Sequence, residues 1–205
     1  VDDVRLSIVV PTLNRPTLSA TLSSFGPAGI LGTDEVIVVW GDGSDPSEAV
    51  ARVSLPCRTH VVYARADRPD YGNTQKTAGI REATGTHVCF MDDDDVYNPD
   101  ALTKIRQALA VSPTLPHVFR VSLPPDEAGR RVTVWHDRKI RYTNVSTLGI
   151  VVPNESRIPS WPKRKPNGYL TRWGNSGNDA EFALECEKIW GKFVFREEVV
   201  ATARP

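Results

Sequence analysis

The stretch Phe90-Met91-Asp92-Asp93-Asp94-Asp95-Val96-Tyr97-Asn98-Pro99-Asp100 decides how this chain is read. Upstream, Thr86-His87-Val88-Cys89 extends the apolar run back into a short strand, predicted over residues 86–91. Downstream, Pro99 stands where proline favours a helix start, and a helix is predicted over 100–111. Four carboxylates therefore lie between the carboxyl end of a strand and the start of a helix. Adjacent carboxylates repel, more strongly as water is excluded, so a fold that gathers them needs a cation or solvent to compensate. Hard divalent ions with oxygen ligands, Mg2+ or Mn2+, meet that need. A plainer reading stays open: a solvated acidic turn whose charge suits the N-terminus of the next helix.

Toward the N-terminus, short β-branched runs alternate with helix-compatible segments, the pattern of βαβ units around a parallel sheet. Strands are predicted over residues 6–10, 35–40 and 59–63, and helices over 17–25 and 73–83. The strands are apolar on both faces, which calls for helices on both sides of the sheet, so the expected fold class is α/β, doubly wound. In such sheets ligands bind outside the carboxyl ends of the strands. The first strand runs into Pro11-Thr12-Leu13-Asn14-Arg15-Pro16 and the second into Gly41-Asp42-Gly43-Ser44-Asp45; in a parallel sheet both loops share a rim with the acidic run. There Arg15 suits a phosphate and Asp42 suits a hydrogen-bond donor on a base or sugar, although each loop alone is an ordinary turn. Residues 72–79 open a helix with one cation, Lys76. They have neither Walker nor GxGxxG spacing, so neither a P-loop NTPase nor a Rossmann dehydrogenase is supported.

Beyond residue 113 the pattern changes. Strand-like pieces at 117–123 and 131–135 form an expected antiparallel hairpin, followed by a strand at 148–152, a helix at 179–190 and a last strand at 192–195. Between them, residues 153–178 are rich in Pro, Gly and Trp and lack periodicity; loops this long in compact domains are usually functional or disordered, and the aromatics weigh against disorder. Residues 156–178 carry Arg157, Lys163, Arg164, Lys165 and Arg172 and no acid, interleaved with Trp161, Tyr169 and Trp173. Three readings stand: an acceptor loop that stacks on sugars and meets an anionic group, a nucleic-acid contact, or a solvated basic loop with its tryptophans on the core. His136, beside Trp135, is a candidate for the acceptor side together with Trp161, Arg172 and Trp173.

Composition bounds these readings. With 205 residues, 40% hydrophobic and 24% charged, the chain is an ordinary globular one, expected as a single domain over 1–205. Twenty-five Lys+Arg against 25 Asp+Glu, a net charge of zero, weigh against a wholesale polyanion binder. Residues 1–100 nevertheless carry 15 acids and 8 bases, and residues 101–205 carry 10 and 17. Cys57, Cys89 and Cys186 are odd in number and far apart, which favours a reducing compartment. No apolar run approaches the ~20 residues of a membrane span. The opening Val-Asp-Asp does not read as a signal peptide, and the expected location is cytoplasmic.

As a set, residues 7–15, 36–44, 72–79 and 90–100 resemble the GT-A nucleotide-sugar glycosyltransferases, most closely the inverting group called glycosyltransferase family 2. The resemblance covers roughly the first half of the chain. It implies a GT-A fold with a donor half over 1–100 and an acceptor half over 101–205. It also implies a nucleotide held by Pro11, Thr12, Arg15 and Asp42, with Lys76 contacting the donor from its helix. The family's Asp-x-Asp motif falls on Asp92-Asp93-Asp94, counted back from Pro99, which puts Asp92 and Asp93 at the donor and Asp94 on a Mn2+ or Mg2+ ion. Two departures are visible: Gly41 stands where the family has a first aspartate, and Lys76-Thr77 where it often has Arg-Asn. Residues 176–182 resemble the segment opening the family's late helix, which makes Asp179 the implied catalytic base and Glu181 the fallback; on the residues alone, Asp179 is an ordinary helix-capping aspartate. The implied reaction moves a sugar from a UDP- or GDP-type donor to an acceptor hydroxyl, with an anionic acceptor suggested by the basic loop and a nucleic-acid acceptor left open. Many retaining GT-A enzymes use a late histidine as a metal ligand; none follows His136, which favours inversion. A retaining transferase, a nucleotidyltransferase and a binding module without turnover remain as alternatives.

Overall fold

The structure, a computed structural model, describes residues 3–125, 129, 132–163 and 177–204. In chain order the elements are β1 (Leu6–Thr12), α1 (Leu18–Ser23), α2 (Phe25–Ala28), β2 (Glu35–Trp40), α3 (Ser47–Ala51), β3 (Arg58–Tyr63), α4 (Asn73–Glu82), β4 (His87–Phe90), β5 (Val96–Tyr97) and α5 (Ala101–Val111). They continue with β6 (His117–Ser122), β7 (Thr133–Val134), a 3-10 turn at Thr147–Gly149, β8 (Ile150–Pro153), α6 (Asn178–Trp190) and β9 (Val194–Thr202).

One mixed sheet carries these strands in the order β3-β2-β1-β4-β8-β6-β9-β5, with β7 paired to β6. Its first half is parallel, as the alternation of strands and helices requires: β1 pairs with β2 and β4, and β2 with β3. Its second half is mixed, with β8 antiparallel to both β4 and β6 and β9 parallel to β6. Side chains alternate across the sheet as a period of two demands. Ile8, Val10, Val36 and Val38 face Leu22, Phe25, Leu102 and Ile105 of α1, α2 and α5. Val9, Ile37, Val39 and Phe90 face Phe182, Ala183 and Cys186 of α6. On that second face α4 runs close to β1: a Cβ on Gly79 would lie 2.3 Å from Val9 Cγ1, so this glycine sets the approach of the helix.

Several elements differ from expectation. The helix expected over 17–25 divides at Ser24, whose hydroxyl donates back to the Thr21 carbonyl at 2.6 Å. The strand expected from residue 148 begins as a 3-10 turn, because a Cβ on Gly149 would lie 2.4 Å from the Phe119 carbonyl oxygen and the backbones must pass closely there. The last strand is not the short piece 192–195 but all of β9, whose far end closes against β5. The hairpin of β6 and β7 is present but short, pairing Val121 with Val134 and Ser122 with Thr133.

Candidate active site

Parallel register brings the carboxyl ends of β1, β2 and β4 level: Thr12 is opposite Trp40, and Val9 is opposite Phe90. The loops that follow line a cleft of about 570 Å³ that contains Pro11, Thr12, Arg15, Asp42 and Asp92 to Asp94 together. Asp93 is its fixed point. Buried, it accepts hydrogen bonds from the Thr12 hydroxyl at 2.7 Å, the Leu13 backbone N–H at 3.1 Å and Arg15 at 3.3 Å. Asp94 beside it is more exposed and pairs with the same Arg15 guanidinium. Asn14, in the left-handed region at φ 57°, ties the first loop to the second by donating to the Ser44 hydroxyl at 2.8 Å. Asp42 is half exposed, with Arg65 at 3.5 Å. The acidic run divides after Asp94. Asp95 turns away to accept from the Arg204 N–H at 2.8 Å, and its burial pushes its carboxyl pKa up to about 7.

A second cleft, of about 460 Å³, is lined by Tyr71, Lys76, Asp92, Thr147, Gly177, Asn178 and Asp179. Gly177 is left-handed at φ 78° and turns the chain into α6, which presents Asp179 in its first turn. Both carboxylate oxygens of Asp179 are used: one accepts from the Thr147 N–H at 2.9 Å, the other from the Thr147 hydroxyl at 2.6 Å. Burial raises its pKa above the ordinary carboxylate value; Lys76 and the Thr147 bonds oppose that rise, and Asp92 adds to it. Lys76 is buried, with its ammonium 3.1 Å from Asp92 and 4.7 Å from the centre of the Trp161 ring. Burial pulls its pKa down, but Asp92, Asp179 and Asp70 outweigh that pull and leave it above the usual lysine value. The two clefts share Asp92 and Tyr71, the latter 66% exposed and left-handed at φ 58°.

Of the expected donor residues, Lys76 lines the second cleft and the others line the first. Trp161 needs correction as a sugar platform: it is 1% exposed, stacked on Phe182 at 4.2 Å between ring centres and covered by Lys76, so it offers no free face. His136 is exposed and lines neither cleft; its backbone N–H donates to Asn144 Oδ1 at 2.7 Å. Arg172 and Trp173, with Arg164, Lys165 and Tyr169, lie outside the described residues. Sequence reasoning missed Tyr71, Thr147 and Arg204. Tyr71 was signalled only by preceding Gly72, and Thr147 gave no signal, because its role depends on a partner 32 positions away.

Among the described residues, no group of three His, Cys, Asp or Glu side chains forms a metal cage. An Mg2+-type ion needs none, since it keeps waters and takes one or two carboxylates together with substrate phosphates. Asp93 is committed to three protein donors and Asp92 to the buried Lys76, so Asp94, partly exposed on the cleft wall and paired, among the described residues, with Arg15 alone, is the carboxylate that fits.

The fold is similar to that of GT-A glycosyltransferases, and solved structures superpose on nearly the whole chain. TarS of S. aureus superposes with a TM-score of 0.69 at 15% identity, covering 98% of this chain and 37% of its own. TarS 1-349, solved in complex with UDP-GlcNAc, gives 0.69 at 14% identity, covering 97% and 58%. The mannosyltransferase PcManGT from Pyrobaculum calidifontis, solved with GDP-Man and Mn2+, gives 0.67 at 17% identity, covering 97% and 56%. This chain thus spans less than two thirds of each. No curated protein matches its sequence. Glycosyl transferase family 2 matches residues 7–168, most of the chain, and the protein belongs to that family.

No helix among the described residues is long and apolar enough to cross a membrane. All three cysteines are free, Cys89 and Cys186 buried and Cys57 partly so.

Proposed function

We propose that this protein is a metal-dependent inverting glycosyltransferase, carrying a sugar from a UDP- or GDP-type donor to an acceptor hydroxyl. The observation that carries this reading is the junction of the two clefts. One holds the side chains suited to a nucleoside diphosphate, the other holds a fixed carboxylate, and they meet at Asp92 and Tyr71. The lining of the first cleft is drawn from between Pro11 and Asp94, and Thr147 and Gly177–Asp179 complete the second, in keeping with a donor half and an acceptor half of one domain.

In this reading Arg15 and the cleft backbone hold the diphosphate, and Asp94 would hold a Mn2+ or Mg2+ ion, which would supply positive charge to stabilise the leaving diphosphate. Asp179, fixed by Thr147, takes the proton of the acceptor hydroxyl. The oxygen lone pair then forms a bond to the anomeric carbon from the face opposite the diphosphate. The carbon–oxygen bond to the diphosphate breaks, and its electron pair leaves with the phosphate. An anionic acceptor is the reading of the base-rich residues 156–178, and a reducing, cytoplasmic setting that of the free cysteines.

Three measurements test this. Asp179→Asn is expected to lower kcat by about 10²–10⁴ with donor affinity kept; a loss under about tenfold assigns the base elsewhere. The anomeric configuration of the product, read by NMR, is expected to be inverted, and a retained configuration overturns the mechanism. Thermal shifts with UDP and GDP are expected to need Mn2+ or Mg2+ and to lose that dependence in Asp94→Ala; an unchanged dependence removes Asp94 as the ligand.

A further inference from the structure

Lys76 occupies a place few lysines take. Its side chain is 4% exposed, and an ammonium is costly to bury unless opposite charge stands beside it. Asp92 lies at 3.1 Å, and Asp179 and Asp70 attract it further. Trp161 forms the floor: its ring is stacked on Phe182, and its backbone N–H donates to Thr77 Oγ1 at 3.0 Å, one residue along α4 from Lys76 itself. The lysine is therefore held from its own helix and from below.

The groups facing Asp179 come from every side of the cleft: Lys76 from α4, Asp92 from the acidic run, Tyr71 from the loop before α4 and Thr147 from the turn before β8. Asp70 stands near Lys76 in turn. Among the described residues that line this cleft, Lys76 is the one cation. Without it, Asp179 would face the like charge of Asp92 across a partly enclosed space with no cation opposing it, which favours the protonated form of Asp179.

We propose that Lys76 is a positioning residue for proton transfer: its ammonium, anchored on Trp161 and paired with Asp92, keeps Asp179 ionised and able to accept the acceptor's proton. This rests on Asp179 being the base, as proposed above. Lys76 touches neither proton nor leaving group in this role; it acts through the charge state of Asp179.

The test is the pH dependence of kcat/KM in wild type, Lys76→Met and Lys76→Arg. Methionine keeps most of the length and an unbranched apolar stem but removes the charge, and the acid limb is expected to move up by about one to three pH units, with activity returning as the pH rises. Arginine is expected to keep the limb in place. A limb that stays put in Lys76→Met while activity falls equally at every pH overturns the proposal, since that is what a purely structural lysine would show. Lys76→Gln supplies the same comparison if the methionine variant does not fold. Carboxyl NMR titration of Asp179, its signal assigned by its loss in Asp179→Asn, separates the two claims without turnover. No shift between wild type and Lys76→Met ends the role of Lys76, whichever residue is the base. A shift accompanied by full activity in Asp179→Asn sinks the base assignment instead, and the catalytic meaning of Lys76 with it.

Discussion

At Gly41 a Cβ would fall 2.3 Å from the Ala64 carbonyl oxygen and 2.6 Å from Gln75 Nε2. The first obstacle is backbone and cannot swing aside, and the second is a side chain already committed, donating to that same carbonyl at 3.0 Å. An aspartate here, as the family resemblance leads one to expect, has no room. Gly41→Ala is expected to lose about 1–3 kcal/mol of stability in chemical denaturation, the usual cost of overpacking, and to weaken nucleotide binding through the displaced Gln75; a neutral result would mean that the end of β3 yields easily. The sequence showed this departure but not its cause, because Gln75 lies on another element. Thr12 and Asp93 tell the same story. Both were legible as rim residues, yet the bond between them spans 81 positions and no local pattern announces it. Trp161 shows the opposite error: an aromatic among cations reads as a binding platform until Phe182 is found covering it.

At the scale of elements, the C-terminus of α5 is fastened to β6 and β9 by one buried histidine. His117 Nε2 faces the Ser112 carbonyl at 3.0 Å and so carries the proton, while Nδ1 accepts from Arg196 Nε at 3.3 Å. Arg196 also donates to the Ala108 carbonyl at 3.0 Å. Burial pushes the His117 pKa down to about 4, with Arg196 repelling any added charge and only the Ser112 carbonyl favouring it. A depressed histidine means that the unfolded chain binds the proton first, so stability is present above about pH 6.5 and is lost as the pH falls through about 4. The loss is about 3 kcal/mol over that interval. His87, also lowered by burial, adds in the same direction. Urea titrations at pH 7 and pH 4.5 are expected to show this drop in wild type and a smaller one in His117→Gln; equal drops would place the acid sensitivity elsewhere. β1 and β2 were legible because they are apolar on both faces. β9 was not, since Glu197 and Glu198 are exposed in its middle and register shifts on either side of Arg120 break its alternation.

Across the whole molecule, residues far apart in sequence complete the rim. After β9 the chain returns to the acidic run, where Arg204 Nε donates to the Asp94 carbonyl at 2.8 Å and Nη2 reaches Thr21 Oγ1 at 3.2 Å. Arg204→Ala is expected to cost about 1–3 kcal/mol and to lower metal-dependent nucleotide affinity, read together in one thermal-shift series; a fall in melting temperature with affinity intact would make Arg204 a tether only. Strand and helix alternation made the parallel half of the sheet legible. The mixed half was not, because β8 enters between β4 and β6 and β9 joins β6 in parallel, pairings that neighbouring sequence does not encode. The acid excess of residues 1–100 is explained in part by the carboxylates gathered at the rim. There remains the wall that the two clefts hold in common, Asp92 and Tyr71. Two chambers with a shared partition are not independent vessels: a molecule in one that turns Asp92 or shifts Tyr71 changes the affinity of the other. Thermodynamic reciprocity then obliges the second molecule to change the affinity of the first by the same factor.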